Sequence, residues 1–170
     1  MTDEKHSILP EKPADIAAVA ALSARALGPG RFARTAYRVR EGATAADGLS
    51  FAAWNGDELI GSIRFTELVI GGEKGALLLG PLVIDPRFVS RGCGLALMEQ
   101  GLKQARKNGY RLVVLVGDLE YYERAGFVRC PDGQITLPGP VDSGRLLAAE
   151  LEEGTLAAYR GLARGLQDSS

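Results

Sequence analysis

Histidine and cysteine are almost missing from this chain: one histidine, His6, and two cysteines, Cys93 and Cys130. That set argues against a His/Cys metal site and against a Ser-His or Cys-His nucleophile pair. Two cysteines cannot build a disulfide framework either, which points to a reducing compartment and a cytoplasmic protein. Long hydrophobic runs are lacking. Stretches such as 76–79 and 112–116 have the length of buried strands and cannot span a bilayer. The polar start, residues 1–6, has no apolar segment behind it, so no targeting peptide is expected and these residues read as a flexible tail. An excess of one charge is also missing: 20 Lys+Arg against 21 Asp+Glu leave a net charge of −1. A near-neutral chain has no electrostatic case for nucleic acid or an acidic membrane surface.

What is present suits a folded domain. The 170 residues are 46% hydrophobic and 24% charged, enough for one domain over 1–170 with a real core. Residues 13–27 read as a helix with Ile16, Val19, Ala20, Ser23 and Leu27 near one face, and Gly28 as its stop. A second short helix is expected over 31–40. The period then changes to two. A strand over 49–54 meets Asn55-Gly56, a hairpin signal. Residues 58–70 alternate, Gly71-Gly72 turns, and 75–84 is a more continuously apolar strand, expected to be central. Gly80-Pro81 interrupts it, since proline removes a ladder donor, and a bulge or splay follows.

Leu95, Met98, Leu102 and Ala105 recur at helical spacing, with Lys103, Arg106 and Lys107 on the wet side. Asn108-Gly109 ends that helix. Residues 111–116 form a strand that a βαβ crossover makes parallel to 75–84. A short helix over 119–125 stops at Gly126. Strands are expected at 127–130 and 145–151, with a Pro/Gly-rich loop between them and a C-terminal helix over 155–166. The expected class is α+β: a mixed, twisted sheet, a helix pair at the N-terminus and a central βαβ unit.

Arg91-Gly92-Cys93-Gly94-Leu95 lies between a buried strand and the start of an amphipathic helix. Glycines there let backbone N–H groups approach an anion, and the helix end adds about half a positive charge. The same glycines would serve a plain strand-to-helix turn, and these residues alone leave both readings open. Two nucleotide motifs fail. The dinucleotide fingerprint needs its glycines directly after the strand and a small residue where Leu97 stands; Gly28 to Ala33 matches the letters but follows a helix. No G-x-x-x-x-G-K-[ST] run exists.

Leu82-Val83-Ile84-Asp85-Pro86, then Arg91-Gly92-Cys93-Gly94 and Leu95-Ala96-Leu97, resembles the acetyl-CoA motif of the GNAT superfamily of N-acetyltransferases. Its usual form is L-x-V-x-P followed by [QR]-x-x-G-x-[GA]. Tyr121-Tyr122-Glu123-Arg124-Ala125-Gly126-Phe127 is similar to the Y-x-x-x-G-F element that follows the next strand in that family. Together these cover 79–127. Val89 stands at the usual Gln/Arg position, a departure that removes a side-chain contact but not the backbone amides.

The resemblance implies acetyl-CoA as donor and an amine acceptor attacking the thioester directly. It implies a cofactor set of Leu82, Val83, Ile84, Arg91, Gly92, Cys93, Gly94, Leu95 and Ala96. The strand residues would serve pantetheine and the thioester oxygen, and the glycine turn the diphosphate. It places the proton donor for the leaving thiolate on Tyr122, whose bland alternative is an aromatic core residue, with Tyr121 the neighbour to exclude. The base is open between Glu67, Asp85 and a water relay. A solvated strand end would explain Glu67 equally. Cys93 would offer its amide rather than its sulfur. The family's N-terminal helices wall the acceptor site, so Arg31 and Arg34, with Arg38 at helical spacing, are candidates for an acceptor bearing a carboxylate or phosphate. A solvated arginine face is their ordinary alternative. A GNAT-like module that binds or senses acyl-CoA without turnover is the alternative function. A nicotinamide-dinucleotide domain is demoted by the misplaced glycines, and no metal is expected.

Overall fold

The computed structural model describes residues 6–27, 39, 43, 45–89 and 91–166. In chain order the elements are β1 (Ser7–Pro10), α1 (Ile16–Leu27), β2 (Phe51–Asn55), β3 (Glu58–Ile70), β4 (Glu73–Ile84), α2 (Cys93–Lys107), β5 (Leu112–Val116), α3 (Leu119–Tyr122), β6 (Val128–Arg129), β7 (Ile135–Thr136), β8 (Leu146–Glu150) and β9 (Gly161–Gly165). The strands form a nine-stranded sheet ordered β1-β2-β3-β4-β5-β8-β6, with β9 against β3 and β7. The expected parallel pair is there: β4 and β5 run together, joined through α2. The expected mixed α+β sheet is therefore the observed one. Of the N-terminal helix pair, α1 is present, and the helix read at 31–40 lies outside the described residues apart from Val39, which is buried.

Three core clusters hold these layers. On one face, α2 sets Leu97, Met98 and Leu102 against Phe65, Leu77 and Leu79 of the central strands. On the other, α1 covers Ala52, Leu59 and Val83. Farther along that second face, Ile135, Leu137, Tyr159 and Ala163 cover Leu68, Leu78 and Val114. Both faces of β3 are thus closed, and even Ser62 and Thr66 are buried.

Four local expectations change. The α1 face that packs is Val19 and Leu22, while Ile16 is 56% exposed and Ala20 is also at the surface. Ile16 shares the i, i+3 row of Val19 and Leu22, but as the first residue of the helix it stays exposed while the later two meet the sheet. The β2–β3 turn sits one residue later than Asn55-Gly56: Asn55 pairs with Glu58, and Gly56 takes the first turn position at φ +61. His6, the last residue of the expected flexible tail, packs edge-on against Phe88 at 5.7 Å between ring centroids.

The fourth change is the largest: 155–166 is a 3-10 turn, Thr155–Ala158, followed by β9 rather than a helix. Two glycines inside a would-be helix cost about 1 kcal/mol each. The open edge of β3 offers a better partner, pairing Leu68 with Gly165, Val69 with Arg164 and Ile70 with Ala163. Tyr159 anchors the segment, fully buried, donating its hydroxyl to the Lys74 carbonyl at 2.6 Å.

Close approach of α2 to the sheet depends on missing side chains. A Cβ built on Gly101 would overlap the Phe65 ring, 2.6 Å from its Cζ. A Cβ on Gly61 would lie 3.1 Å from Leu97 and 3.2 Å from the Cys93 sulfur. These two positions hold the helix, and with it its first turn, down on β3.

Asp85 locks the end of β4. Its carboxylate accepts the Arg87 amide at 2.9 Å and the Arg87 guanidinium at 3.1 and 3.0 Å, with Arg25 at 3.6 Å. Its side chain is 4% exposed. The hydrogen bonds from Arg87 hold its carboxyl below the ordinary 3.8, at about 2.

Two expectations follow from this packing. Gly101→Ala improves helix propensity but drives a methyl into Phe65, so a net loss of about 1–3 kcal/mol is expected in denaturant melts. Phe65→Leu should recover most of it, and an additive double variant would refute the contact. For Asp85 the depressed folded pKa stabilises the fold above pH about 4 and is lost as pH falls towards 2. Asp85→Asn should therefore melt a few degrees below wild type at pH 7, with the gap narrowing to about a third by pH 2.5. A gap that does not change with pH would show that the charge of Asp85 contributes nothing.

Candidate functional site

The site begins where two parallel strands separate. β4 and β5 are paired only at Ala76–Leu112, Leu77–Val113 and Leu78–Val114. Beyond that, β5 continues against β8 as far as Val116–Leu146, while β4 stays with β3 through Ile84–Gly61. The ladder between β3 and β4 runs from Phe65–Leu79 to Ile63–Leu82, so Gly80 and Pro81 together oppose the single Arg64. Pro81 has no N–H to give, and Gly80 takes φ +133, so the expected bulge is present. Leu82, Val83 and Ile84 keep one edge on β3, and no strand among the described residues pairs their other edge.

At the open end of this gap α2 begins. Gly92 is its N-cap, in the left-handed region at φ +80. The first helical bond runs from the Ala96 N–H to the Gly92 carbonyl at 3.0 Å. The amides of Cys93, Gly94 and Leu95 therefore precede the ladder and form the positive end of the helix dipole. Ala96 leaves the expected donor set, because its N–H is already spent inside the helix. Cys93 contributes only backbone: its side chain is 2% exposed, and burial pushes its thiol up to about 11, against the lowering a helix N-terminus would give. Arg91 lies with its guanidinium over the Phe88 ring, 5.4 Å from the centroid. Val89, at the departing motif position, is 56% exposed.

α3 supplies the facing wall. A Cβ on Gly117, just after β5, would run into the Tyr122 ring. The bare Gly117 lets that ring lie over the end of β5, edge-on to Phe127 at 6.0 Å and half-buried against the core. Tyr121 reaches the other way. Its hydroxyl occupies the space that a Cβ on Gly94 would take, so it touches the first turn of α2 across the gap. Its ring stands edge-on to Tyr122 at 4.9 Å. A cleft of about 520 Å³ opens on the α3 side, lined by Gly117, Asp118, Leu119, Glu120, Tyr121, Arg124, Gly144 and Arg145.

The structure therefore brings together Ile84, the Gly92–Leu95 turn and Tyr121, with Tyr122 beside Tyr121 over the end of β5. It does not bring Glu67 to them. Glu67 sits on β3 opposite Leu77, one strand away from the gap, on the face that α2 covers. It accepts the Tyr110 hydroxyl at 2.5 Å. Tyr110 follows the C-terminal end of α2, and a helix of fifteen residues puts about 20 Å between its two ends. Burial first, and the bond to Glu67 second, push the Tyr110 phenol above its ordinary value. Asp85 is committed to Arg87 and Arg25. Arg31, Arg34 and Arg38 lie outside the described residues. Lys103, Arg106 and Lys107 belong to the middle and last turns of α2, away from its first turn, and Arg106 donates to the Leu151 carbonyl at 3.1 Å. Sequence reading did not find the roles of Gly117 and Gly61, since a glycine beside a ring looks like any other glycine until the ring is placed.

Among the described residues no group of three His, Cys, Asp or Glu side chains could hold a metal ion, and no helix is long and apolar enough to cross a membrane.

Comparison with known proteins agrees with this geometry. Residues 17–127 match the family model described as the acetyltransferase (GNAT) family. A mycothiol acetyltransferase of Geodermatophilus obscurus is 38% identical over 88 residues, which is 46% of this chain and 28% of that protein. The GNAT family N-acetyltransferase YhbS of Escherichia coli, in a crystal structure with CoA, superposes with a TM-score of 0.80 at 24% identity, covering 95% of this chain and 89% of that one. A GNAT family acetyltransferase of Brucella melitensis in complex with acetyl-CoA superposes with a TM-score of 0.62 at 32% identity, over 85% of this chain and 96% of that one. With the family model matching well over half its length, this chain belongs to the GNAT acetyltransferase family.

Proposed function

We propose that this protein transfers an acetyl group from acetyl-CoA to the amine of a small-molecule acceptor by direct attack on the thioester. The observation that carries the reading is the parting of β4 from β5 in front of the Gly92–Leu95 turn, with Tyr122 on the facing wall. The CoA and acetyl-CoA bound by the YhbS and Brucella melitensis proteins support the choice of donor.

The residues fit that donor. The amides of Cys93, Gly94 and Leu95 form an uncharged cradle for a diphosphate, with open space where a Cβ on Gly92 would stand. The free edge of Leu82–Ile84 presents backbone groups to an extended amide chain, as a missing strand would. A backbone N–H there also polarises the thioester oxygen, and because it is fixed in place it needs no rearrangement as charge develops. Tyr122 gives a proton to the departing thiolate. Glu67 and Asp85 are both engaged elsewhere, so this reading leaves the amine proton to water. That same engagement favours the alternative of a module that binds acyl-CoA without turnover.

Two measurements separate these readings. In calorimetric titration with CoA, Gly94→Asp should abolish measurable binding through bulk and like charge. Cys93→Ala should bind within about twofold of wild type, because only the amide is used. A folded Cys93→Ala protein that loses CoA would refute the backbone cradle. In steady-state assays of thiol release across a panel of amines, Tyr122→Phe should lower kcat by about 10²- to 10⁴-fold with CoA affinity unchanged. An unaffected kcat removes Tyr122 as the acid, and a wild-type protein that binds CoA but acetylates no amine supports the binding module.

A further inference from the structure

Tyr121 is the half of the tyrosine pair that the catalytic reading leaves without a task, and its placement is specific. Its hydroxyl fills the volume that any side chain larger than glycine at position 94 would take. It therefore spans the gap, from α3 on the β5 side to the first turn of α2 on the β4 side. The ring is 39% exposed, on the rim of the 520 Å³ cleft that Arg124 also lines. Arg124 lies close enough for its positive charge to favour the ionised form of this phenol, although burial outweighs it and keeps the phenol above its ordinary value. At neutral pH Tyr121 is thus a hydroxyl donor beside a cation, in contact with the first turn of α2, whose Cys93, Gly94 and Leu95 amides precede the helical ladder. Those amides carry only about half a positive charge in total, too little to balance a diphosphate.

We propose that Tyr121 and Arg124 form the second wall of the diphosphate site: the Tyr121 hydroxyl donates to a diphosphate oxygen and Arg124 supplies the balancing charge, from the side opposite the Gly92–Leu95 amides. The proposal rests on the acetyl-CoA reading above. It gives Gly94 a second role. The position lacks a side chain to seat the Tyr121 hydroxyl as well as to expose an amide, so the two residues are a coupled pair. It also divides the tyrosines: Tyr122 serves the thioester end of the donor and Tyr121 the nucleotide end.

The test is a ligand series measured by titration calorimetry with CoA, dephospho-CoA and pantetheine. The first two contain the diphosphate and the last does not. Tyr121→Phe and Arg124→Gln are each expected to weaken CoA and dephospho-CoA by the same factor, about 10-fold, the usual size for a hydrogen bond to a charged group, and to leave pantetheine unchanged. A general loss of structure would weaken all three ligands together, so the split is one that a merely structural role would not produce. Because Arg124 is exposed, its variant carries the test if Tyr121→Phe folds poorly. As a second readout, Gly94→Ala should lower the melting temperature, and adding Tyr121→Phe should restore it. Equal binding of CoA by wild type and both variants overturns the proposal. So does a loss shared by pantetheine, which would put the hydroxyl at the thiol end, or a loss confined to CoA over dephospho-CoA, which would put Arg124 on the 3′-phosphate. If wild type binds no CoA, the donor assignment falls, and this proposal falls with it.

Discussion

Everything at this site depends on one failure of strand pairing. Three residue pairs join β4 to β5, and then Gly80-Pro81 places two residues opposite one. A parallel ladder cannot continue past a residue without an N–H while its neighbour is displaced. β4 keeps its partner on the β3 side, where thirteen residues of antiparallel strand hold it. β5 keeps its partner on the β8 side. The gap between them is therefore braced from both flanks and stays open, although a backbone edge left unpaired inside a protein is normally costly. An extended ligand with amides of its own can satisfy that edge, and the first turn of α2 stands at the end of the same gap.

The position of that first turn is set by packing at a distance. Gly61 and Gly101 allow α2 to lie close on β3, and Gly117 does the same for the Tyr122 ring on β5. The chain has almost no net charge, so attraction for an anion is local, made from the helix end and a few placed side chains. Burial then sorts the titratable groups. It keeps Cys93 protonated and raises Tyr121, while the Arg87 hydrogen bonds take Asp85 the other way. The protonated Tyr121 phenol thus stands beside the gap while the Cys93 thiol stays in the core, and a carboxylate with a strong structural commitment closes the end of β4.

Much of this was legible beforehand. The βαβ unit, the bulge at Gly80-Pro81, the Gly92–Leu95 turn and the helix stops at Asn108-Gly109 and Gly126 are local events. Each follows from backbone chemistry within a few residues. The errors arose where a remote partner decided. The stretch 155–166 carries a helical apolar spacing, yet it joins the edge of β3 about ninety residues earlier in the chain, which no local rule can foresee. α1 buries Val19 and Leu22 but leaves Ile16, on the same row, exposed, because only the later two meet Ala52, Leu59 and Val83.

The site divides along the same line. A glycine turn at a helix start and a Y-x-x-x-G-F element are short-range patterns, so the chain by itself determined that a glycine turn opens α2 and that an aromatic pair follows β5. Function of the polar side chains was another matter. Glu67 looks like a base when read along its strand, but its strand, the face covered by α2 and the Tyr110 hydroxyl take it away from the gap. Tyr121 and Tyr122 are adjacent in sequence and meet different elements, one reaching Gly94 of α2 and the other lying against Gly117 after β5. Only the tertiary structure decided these assignments. A side chain's role depends on what lies within a few ångströms of it, and those neighbours come from strands and helices far away along the chain.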